Sequence, residues 1–111
     1  MEFTAKYRYA KMAPRKVQEV VDLIRGKHID DALLILRNTN KRASSMVDKV
    51  LRSAISNADE SLEAEMENLF VKEARVNKGP TQRRWRPRAR GRATPERHRT
   101  SHINIVLDDG T

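Results

Sequence analysis

Lys78-Gly79-Pro80-Thr81-Gln82-Arg83-Arg84-Trp85-Arg86-Pro87-Arg88-Ala89-Arg90-Gly91-Arg92-Ala93-Thr94-Pro95-Glu96-Arg97-His98-Arg99-Thr100-Ser101-His102 is the stretch that decides the fold. It holds nine Lys or Arg side chains and one acid, Glu96, and so carries the whole formal excess of +8 in a chain of 111 residues. The remainder is formally neutral. The stretch offers only Trp85, Ala89 and Ala93 as apolar side chains, so it cannot build a core. On either side the pattern changes. Leu69-Phe70-Val71 opens a β-prone run reaching Val76, and Ile103, Ile105 and Leu107 alternate with polar residues. Both flanks read as strands. The cationic stretch is therefore internal and tied at both ends, which makes it a loop or hairpin and not a tail.

Upstream, Phe3, Ala5, Tyr7 and Tyr9 alternate with Thr4, Lys6 and Arg8, the period of a half-buried strand. Pro14 suits the first position of a helix, with Val17, Val20, Val21 and Ile24 on its apolar face and Gly26 as its stop. Asp30 reads as the cap of a short second helix through Ala32, Leu33 and Leu36. A third helix is marked by Ala43, Met46, Val47, Val50, Leu51, Ala54, Ile55 and Ala58, an unbroken apolar stripe at helical spacing. Residues 59–67 are acidic and read as the helix end and a solvated connection. The expected fold is α+β: three helices packed on a small three-stranded antiparallel sheet, with a long protruding β-hairpin. One domain spans 1–111, as a globular body (1–77 and 103–111) and an Arg-rich hairpin arm (78–102).

Several functions are excluded at this level. There is no cysteine, so disulfides, thiolate zinc sites and a Cys nucleophile are absent. The longest apolar run, Ala32–Leu36, is far short of the roughly 20 residues that span a bilayer. Nor does Met1–Lys6 have the apolar stretch of a signal peptide. A cytoplasmic protein with a polyanionic partner is expected. His98 and His102 are four apart, but in a strand and with only Glu96 nearby, so no metal site is read there. The glycines match no phosphate-binding loop or dinucleotide fingerprint. No acid or nucleophile set converges, so no catalytic residue, cofactor or small-molecule substrate is assigned. His28 is read as serving the turn between helices.

The insertion is suited to phosphate. Eight of its nine bases are Arg, whose planar fork grips phosphate bidentately and stacks on bases. Between Arg86 and Arg92 the arginines fall on every second residue. In an extended chain these would project on one side. Trp85 adds an aromatic face for stacking. As an extended hairpin each side of about 12 residues would reach roughly 40 Å. Pro87 and Pro95 cannot donate to a ladder, which argues against perfect pairing. An interfacial membrane helix would need an apolar face that this stretch lacks. Composition alone leaves RNA and DNA both open, because the same electrostatics serves either. Arg15 and Lys16 begin helix one, and Lys41 and Arg42 begin helix three. Such placement opposes the helix dipole unless an anion binds there.

At this level of detail the residues also resemble a known family. Ala13-Pro14-Arg15-Lys16-Val17 and Val20-Val21-Asp22-Leu23-Ile24-Arg25-Gly26-Lys27 resemble the opening of bacterial large-subunit ribosomal protein number twenty-two. Val71-Lys72-Glu73-Ala74, Gly79-Pro80-Thr81, Arg86-Pro87-Arg88-Ala89-Arg90-Gly91-Arg92-Ala93 and Arg99-Thr100-Ser101-His102-Ile103 come next, in the family's order and spacing. The resemblance covers nearly the whole chain. It implies a non-enzymatic constituent of the large subunit that binds 23S-type rRNA, assists assembly and lines the polypeptide exit tunnel with its hairpin. The implied partners are large-subunit rRNA, neighbouring large-subunit proteins and the nascent chain, with no membrane. The implied location is on cytoplasmic ribosomes. By the same resemblance, rRNA contact falls on Arg15, Lys16, Lys78, Arg83, Arg84, Trp85, Arg86, Arg88, Arg90, Arg92, Arg99 and His102. Arg86, Pro87, Arg88, Ala89, Arg90 and Gly91 would form the tunnel wall. The alternative reading is an architectural DNA-binding protein. This chain departs from the family pattern at Ala13, where Ser is usual, at Gln18-Glu19, at Trp85 and at Thr94-Pro95-Glu96.

Overall fold

The computed structural model describes residues 1–61, 64–87, 89–91 and 93–110. Its elements are β1 (Glu2–Ala10), α1 (Pro14–Ile24), α2 (Ile29–Asn38), α3 (Arg42–Glu60), β2 (Phe70–Lys78), β3 (Gln82–Pro87), β4 (Ala93–His98) and β5 (Ser101–Asp108). β5 is the middle strand of an antiparallel sheet of order β1-β5-β2, and the three helices pack on one face of it. The architecture is the α+β arrangement expected. β3 and β4 pair with each other in a separate two-stranded sheet.

The core derives from the periodicities. α1 contributes Val17, Val20, Val21 and Ile24, and α3 contributes Ala43, Val47, Val50, Leu51, Ala54 and Ala58, all buried. Against them lie Phe3, Ala5, Val71, Ala74, Ile103, Ile105 and Leu107 of the sheet. The other sheet face is left uncovered by helices. On it Lys6 and Arg75 flank Asn104, and Asn77 sits opposite His102.

Two strands depart from strict alternation. The β1–β5 register shifts between Tyr7 and Ala10, so Ala10 turns inward and is fully buried. Tyr9, expected inward by period two, turns outward and is 60% exposed, with φ 61°. A bulge inserts one extra residue and so inverts the inward–outward phase of the strand beyond it. A second shift between Val71 and Glu73 of β2 brings Val71 and Ala74, three apart, onto the same inner face.

The turns use specific chemistry. α1 stops at Ile24, and Gly26 takes the left-handed conformation, donating its N–H to the Val71 carbonyl at 2.9 Å. This pins the α1–α2 connection to the edge of β2. α2 begins two residues earlier than an Asp30 cap requires. His28 is the cap, its Nδ1 accepting the Asp30 N–H at 3.2 Å, while its Nε2 bonds the Glu67 carbonyl at 2.7 Å. The neutral ring therefore carries its proton on Nε2. Asp30 instead lies in the first turn, where its charge suits the helix dipole.

The ribbon of β3 and β4 has a continuous register from Gln82↔His98 to Pro87↔Ala93. This corrects the expectation that Pro87, Pro95 and the Thr94-Pro95-Glu96 stretch would disrupt pairing. The pairs Trp85↔Pro95 and Pro87↔Ala93 are two residues apart, so both prolines fall in the same class of antiparallel pair. In the non-hydrogen-bonded class an N–H points away from the partner strand, and its loss costs no ladder bond. The arginine alternation also ends sooner than expected. Ala89–Gly91 forms one turn of 3-10 helix, with Gly91 at φ 71°. The extended projection assumed for residues 86–92 therefore stops at Pro87.

The ribbon meets the body at a narrow neck. Gly79 donates its N–H to the Thr100 carbonyl at 2.9 Å, and Thr100 Oγ1 donates to the Pro80 carbonyl at 2.8 Å. A Cβ on Gly79 would stand 2.4 Å from Thr100 Oγ1 and 3.2 Å from the Thr100 backbone, so the close approach needs glycine. One residue on, the buried Ser101 hydroxyl donates to the Met12 carbonyl at 2.6 Å, tying β5 to the chain entering α1. The molecule is 64 Å along its longest axis with a radius of gyration of 17.1 Å. A compact chain of this length would have roughly 13 Å.

Two outcomes are expected. Deleting residues 83–93 removes no buried side chain among the described residues, so a cooperative thermal melt should survive with Tm changed by only a few degrees. Loss of cooperativity would show that the ribbon is part of the body. The cap of α1, Ala13, makes no side-chain hydrogen bond. Ala13→Ser should therefore stabilise the protein by about 1 kcal/mol, and calorimetry should show Tm rising by several degrees.

Candidate nucleic-acid interface

Some cations of the body have carboxylate partners. Arg25 pairs with Asp22 at 2.8 Å, Arg52 with Asp48 at 2.9 Å, Arg75 with Glu73 at 3.2 Å, and Lys72 with Glu2. These are exposed pairs, each worth little to stability. They matter because they cancel charge locally. The root of the ribbon gathers cations closely. Lys78, Thr81, Arg83, Arg97 and Arg99 surround a hollow of about 270 Å³. None of its four cations has a carboxylate partner among the described residues. Four like charges around one hollow repel, and a bound anion is what would offset that.

Strand geometry creates this cluster. The register places Arg83 directly opposite Arg97, on adjacent strands of the ribbon. Like charges in that position destabilise a hairpin. The Lys78↔Ser101 pair ends the β2–β5 ladder, which sets Lys78 and Arg99 on either side of the neck.

A larger hollow, about 610 Å³, joins this root to the start of α1. Its walls are Tyr9, Lys11, Ala13, Pro80, Arg97, His98, Arg99 and Thr100. Beyond it, a third of about 470 Å³ lies where α1 and α3 begin, lined by Lys11, Lys16, Lys41 and Arg42 among others. Neither helix has a side-chain cap or an acid in its first turn. Glu19 lies in this hollow and bonds Lys41 at 2.9 Å. The Lys41 hydrogen bond and charge hold the Glu19 carboxyl below its usual range, so it stays ionised and neutralises Lys41. Lys11, Lys16 and Arg42 have no such partner among the described residues.

The site residues expected from sequence fall in five places. Arg15 and Lys16 lie exposed in the first turn of α1. Lys78, Arg83 and Arg99 meet at the root. Trp85 lies on β3, 64% exposed, and His102 lies on the uncovered sheet face. Arg84 and Arg86 are on β3, and Ala89, Arg90 and Gly91 form the turn, with Pro87 ending β3. Arg88 and Arg92 lie outside the described residues. The structure adds Arg97 and Lys11, which no sequence motif singles out. Arg97 adds to the charge of the stretch but belongs to no recognisable pattern. Lys11 comes to the root only because β1 ends beside the neck. The register of β4 and the Ser101–Met12 contact are long-range facts that no local pattern encodes.

The connected hollows form a belt from the start of α1, past the root, toward the ribbon. Its chemistry is guanidinium and ammonium groups with backbone N–H donors, which fits phosphate. Among the described residues no group of three His, Asp or Glu side chains could hold a metal ion.

Comparison with known proteins gives a consistent result. A family model described as ribosomal protein L22p/L17e matches residues 5–108. The large ribosomal subunit protein uL22 of Pelotomaculum thermopropionicum is 53% identical over 109 residues, covering 98% of this chain and 96% of that protein. The protein of the same name from Carboxydothermus hydrogenoformans is 51% identical over 107 residues, covering 96% and 95%. That of Staphylococcus haemolyticus is 51% identical over 110 residues, covering 99% and 94%.

Proposed function

We propose, from the premise that this chain belongs to the ribosomal protein L22p/L17e family, that it holds large-subunit rRNA through the unpaired cations of its ribbon and neck. The chain is a structural constituent of the large ribosomal subunit, and the family is not enzymatic. The observation that carries the finer reading is the hollow bounded by Lys78, Arg83, Arg97 and Arg99, where no carboxylate among the described residues pairs with the cations. The body, formally neutral, docks by its helix starts, with Arg15 and Lys16 on phosphates. The ribbon, Arg-rich and coreless, runs between rRNA segments and is ordered by them. Its turn, with Arg86, Pro87, Arg88, Ala89, Arg90 and Gly91, forms part of the polypeptide exit tunnel wall and faces the nascent chain. Arg84, Trp85, Arg92 and His102 complete the rRNA contact. Neighbouring large-subunit proteins are the remaining partners, and the location is the cytoplasmic ribosome. By clamping separated rRNA segments the protein assists subunit assembly.

Mechanistically the parts differ in what they supply. Arginine forks on a two-stranded ribbon can each take one phosphate bidentately, with a stacking face left over. The neck fixes where the ribbon leaves the body, so phosphates bound on the two are held at a set separation. Trp85 stacks on a base or narrows the passage.

Binding should be steeply salt-dependent. With about five phosphates neutralised, log K against log[salt] for large-subunit rRNA should fall with a slope near −3.5 to −4.5. A flat slope would show that the arginines do something else. Duplex DNA of matched length should compete poorly, whereas equal competition would favour the architectural DNA-binding alternative. Trp85→Ala should weaken rRNA affinity roughly 5- to 100-fold if the ring stacks on a base, and unchanged affinity would rule stacking out.

A further inference from the structure

Tyr9 is the one non-glycine residue with positive φ among the described residues, at 61°. A bulky aromatic residue in the left-handed region is strained, and such strain persists where surrounding structure fixes it for a purpose. Burial does not compensate, because the ring is 60% exposed. What Tyr9 does make is local. Its N–H donates to His102 Nδ1 at 3.1 Å, and its ring stands edge-on to the imidazole, centroids 4.9 Å apart at 87°. With Nδ1 accepting, the neutral His102 ring carries its proton on Nε2 and is a donor there.

The same ring borders a hollow of about 270 Å³ on the uncovered sheet face, lined also by Lys6, Arg8, Asn77, His102 and Asn104. The Asn104 side-chain carbonyl is buried with no hydrogen-bond donor among the described residues. An unsatisfied buried acceptor is expensive, and it marks a place where a donor is missing. Lys6 and Arg8 are exposed on β1 and have no carboxylate partner among the described residues. The hollow is slightly smaller than the roughly 300–1,000 Å³ of sites for whole drug-sized ligands. It therefore has one aromatic wall, an unpaired acceptor beneath it, a donor on His102, and two cations at one edge.

We propose that this hollow binds one unstacked ribonucleotide, its base against the Tyr9 ring and the Asn104 carbonyl, its phosphates at Lys6 and Arg8. The site rests on the rRNA-binding reading above but lies on the sheet face, away from the ribbon. Single-stranded bases are held in this way, by an aromatic face with base-edge hydrogen bonds. The Asn104 acceptor can take an N–H from the amino group of adenine, cytosine or guanine or from N3 of uracil, so preference among the bases comes from stacking on the Tyr9 ring, which is stronger for purines.

The test compares the full-length protein with Tyr9→Gly, Tyr9→Phe and Asn104→Ala in filter binding to large-subunit rRNA across a salt series. Glycine is at ease at φ 61°, so Tyr9→Gly removes the ring while relieving the strain. Its melting temperature should equal or exceed that of the parent, yet its affinity should fall about tenfold with the salt slope unchanged. Tyr9→Phe should bind within twofold of the parent, and Asn104→Ala should bind several-fold more weakly. Poly(rA) should compete several-fold better than poly(rU) with the parent and no better with Tyr9→Gly. The proposal is overturned if Tyr9→Gly binds within twofold of the parent while the parent shows its steep salt dependence. In that case the broader reading stands and only this site falls. A parent that does not bind rRNA removes both. Should Tyr9→Gly melt lower than the parent, Asn104→Ala and the poly(rA)/poly(rU) ratio decide: equal affinity or equal competition overturns the site.

Discussion

The close approach of Gly79 to Thr100 is the contact on which the rest of the molecule depends. On one side of it lies a sheet whose register is fixed by buried Val71, Ala74, Ile103, Ile105 and Leu107. On the other lies a ribbon with no core of its own. The hydrogen bond from Gly79 to the Thr100 carbonyl, and the absence of a Cβ at 79, carry the first register into the second. Without that transfer Arg83 and Arg97 would have no fixed relation to Lys78 and Arg99, and the root would not be a cluster. Ser101, bonded to Met12, extends the same constraint to the chain entering α1.

Electrostatics divides the molecule along the same line. The body balances its bases with acids in number and pairs some of them directly, as in Arg25–Asp22, Arg52–Asp48 and Lys72–Glu2. Its stability then owes little to ionic strength, because exposed pairs contribute little. The neck brings Lys78, Arg83, Arg97 and Arg99 together with no carboxylate partner among the described residues, at a cost to its own order. Folding of the body sustains that cost through covalent attachment at both ends. A bound anion would offset that repulsion.

Much of this is legible in the sequence. The apolar stripe from Ala43 to Ala58 marks α3, the fixed φ of Pro14 marks the start of α1, and the placement of the arginines between two β-prone runs makes them internal. Each is a local signal with a short physical cause. The features that escape such reading are set by distant partners. Tyr9 obeys a perfect period-two pattern, yet a bulge against β5 turns it outward. Pro87 and Pro95 read as ladder breakers, yet their common parity lets the ribbon keep its register. The arginine alternation reads as one extended edge, yet a 3-10 turn at Ala89–Gly91 ends it. Arg97 and Lys11 join the candidate site only through the register of β4 and the end of β1. The hydrogen bond from Tyr9 to His102 spans 93 residues, beyond any local pattern.

The central claim is that the unpaired cations at the root attach this protein to the large subunit. The most direct test reverses three of them at once, Arg83→Glu, Arg97→Glu and Arg99→Glu, in the full-length chain. Large subunits are then assembled with it and sedimented through a moderate-salt wash. The account predicts a protein that melts like the parent but stays in the supernatant. A triple variant that melts normally and sediments with large subunits as the parent does would contradict it.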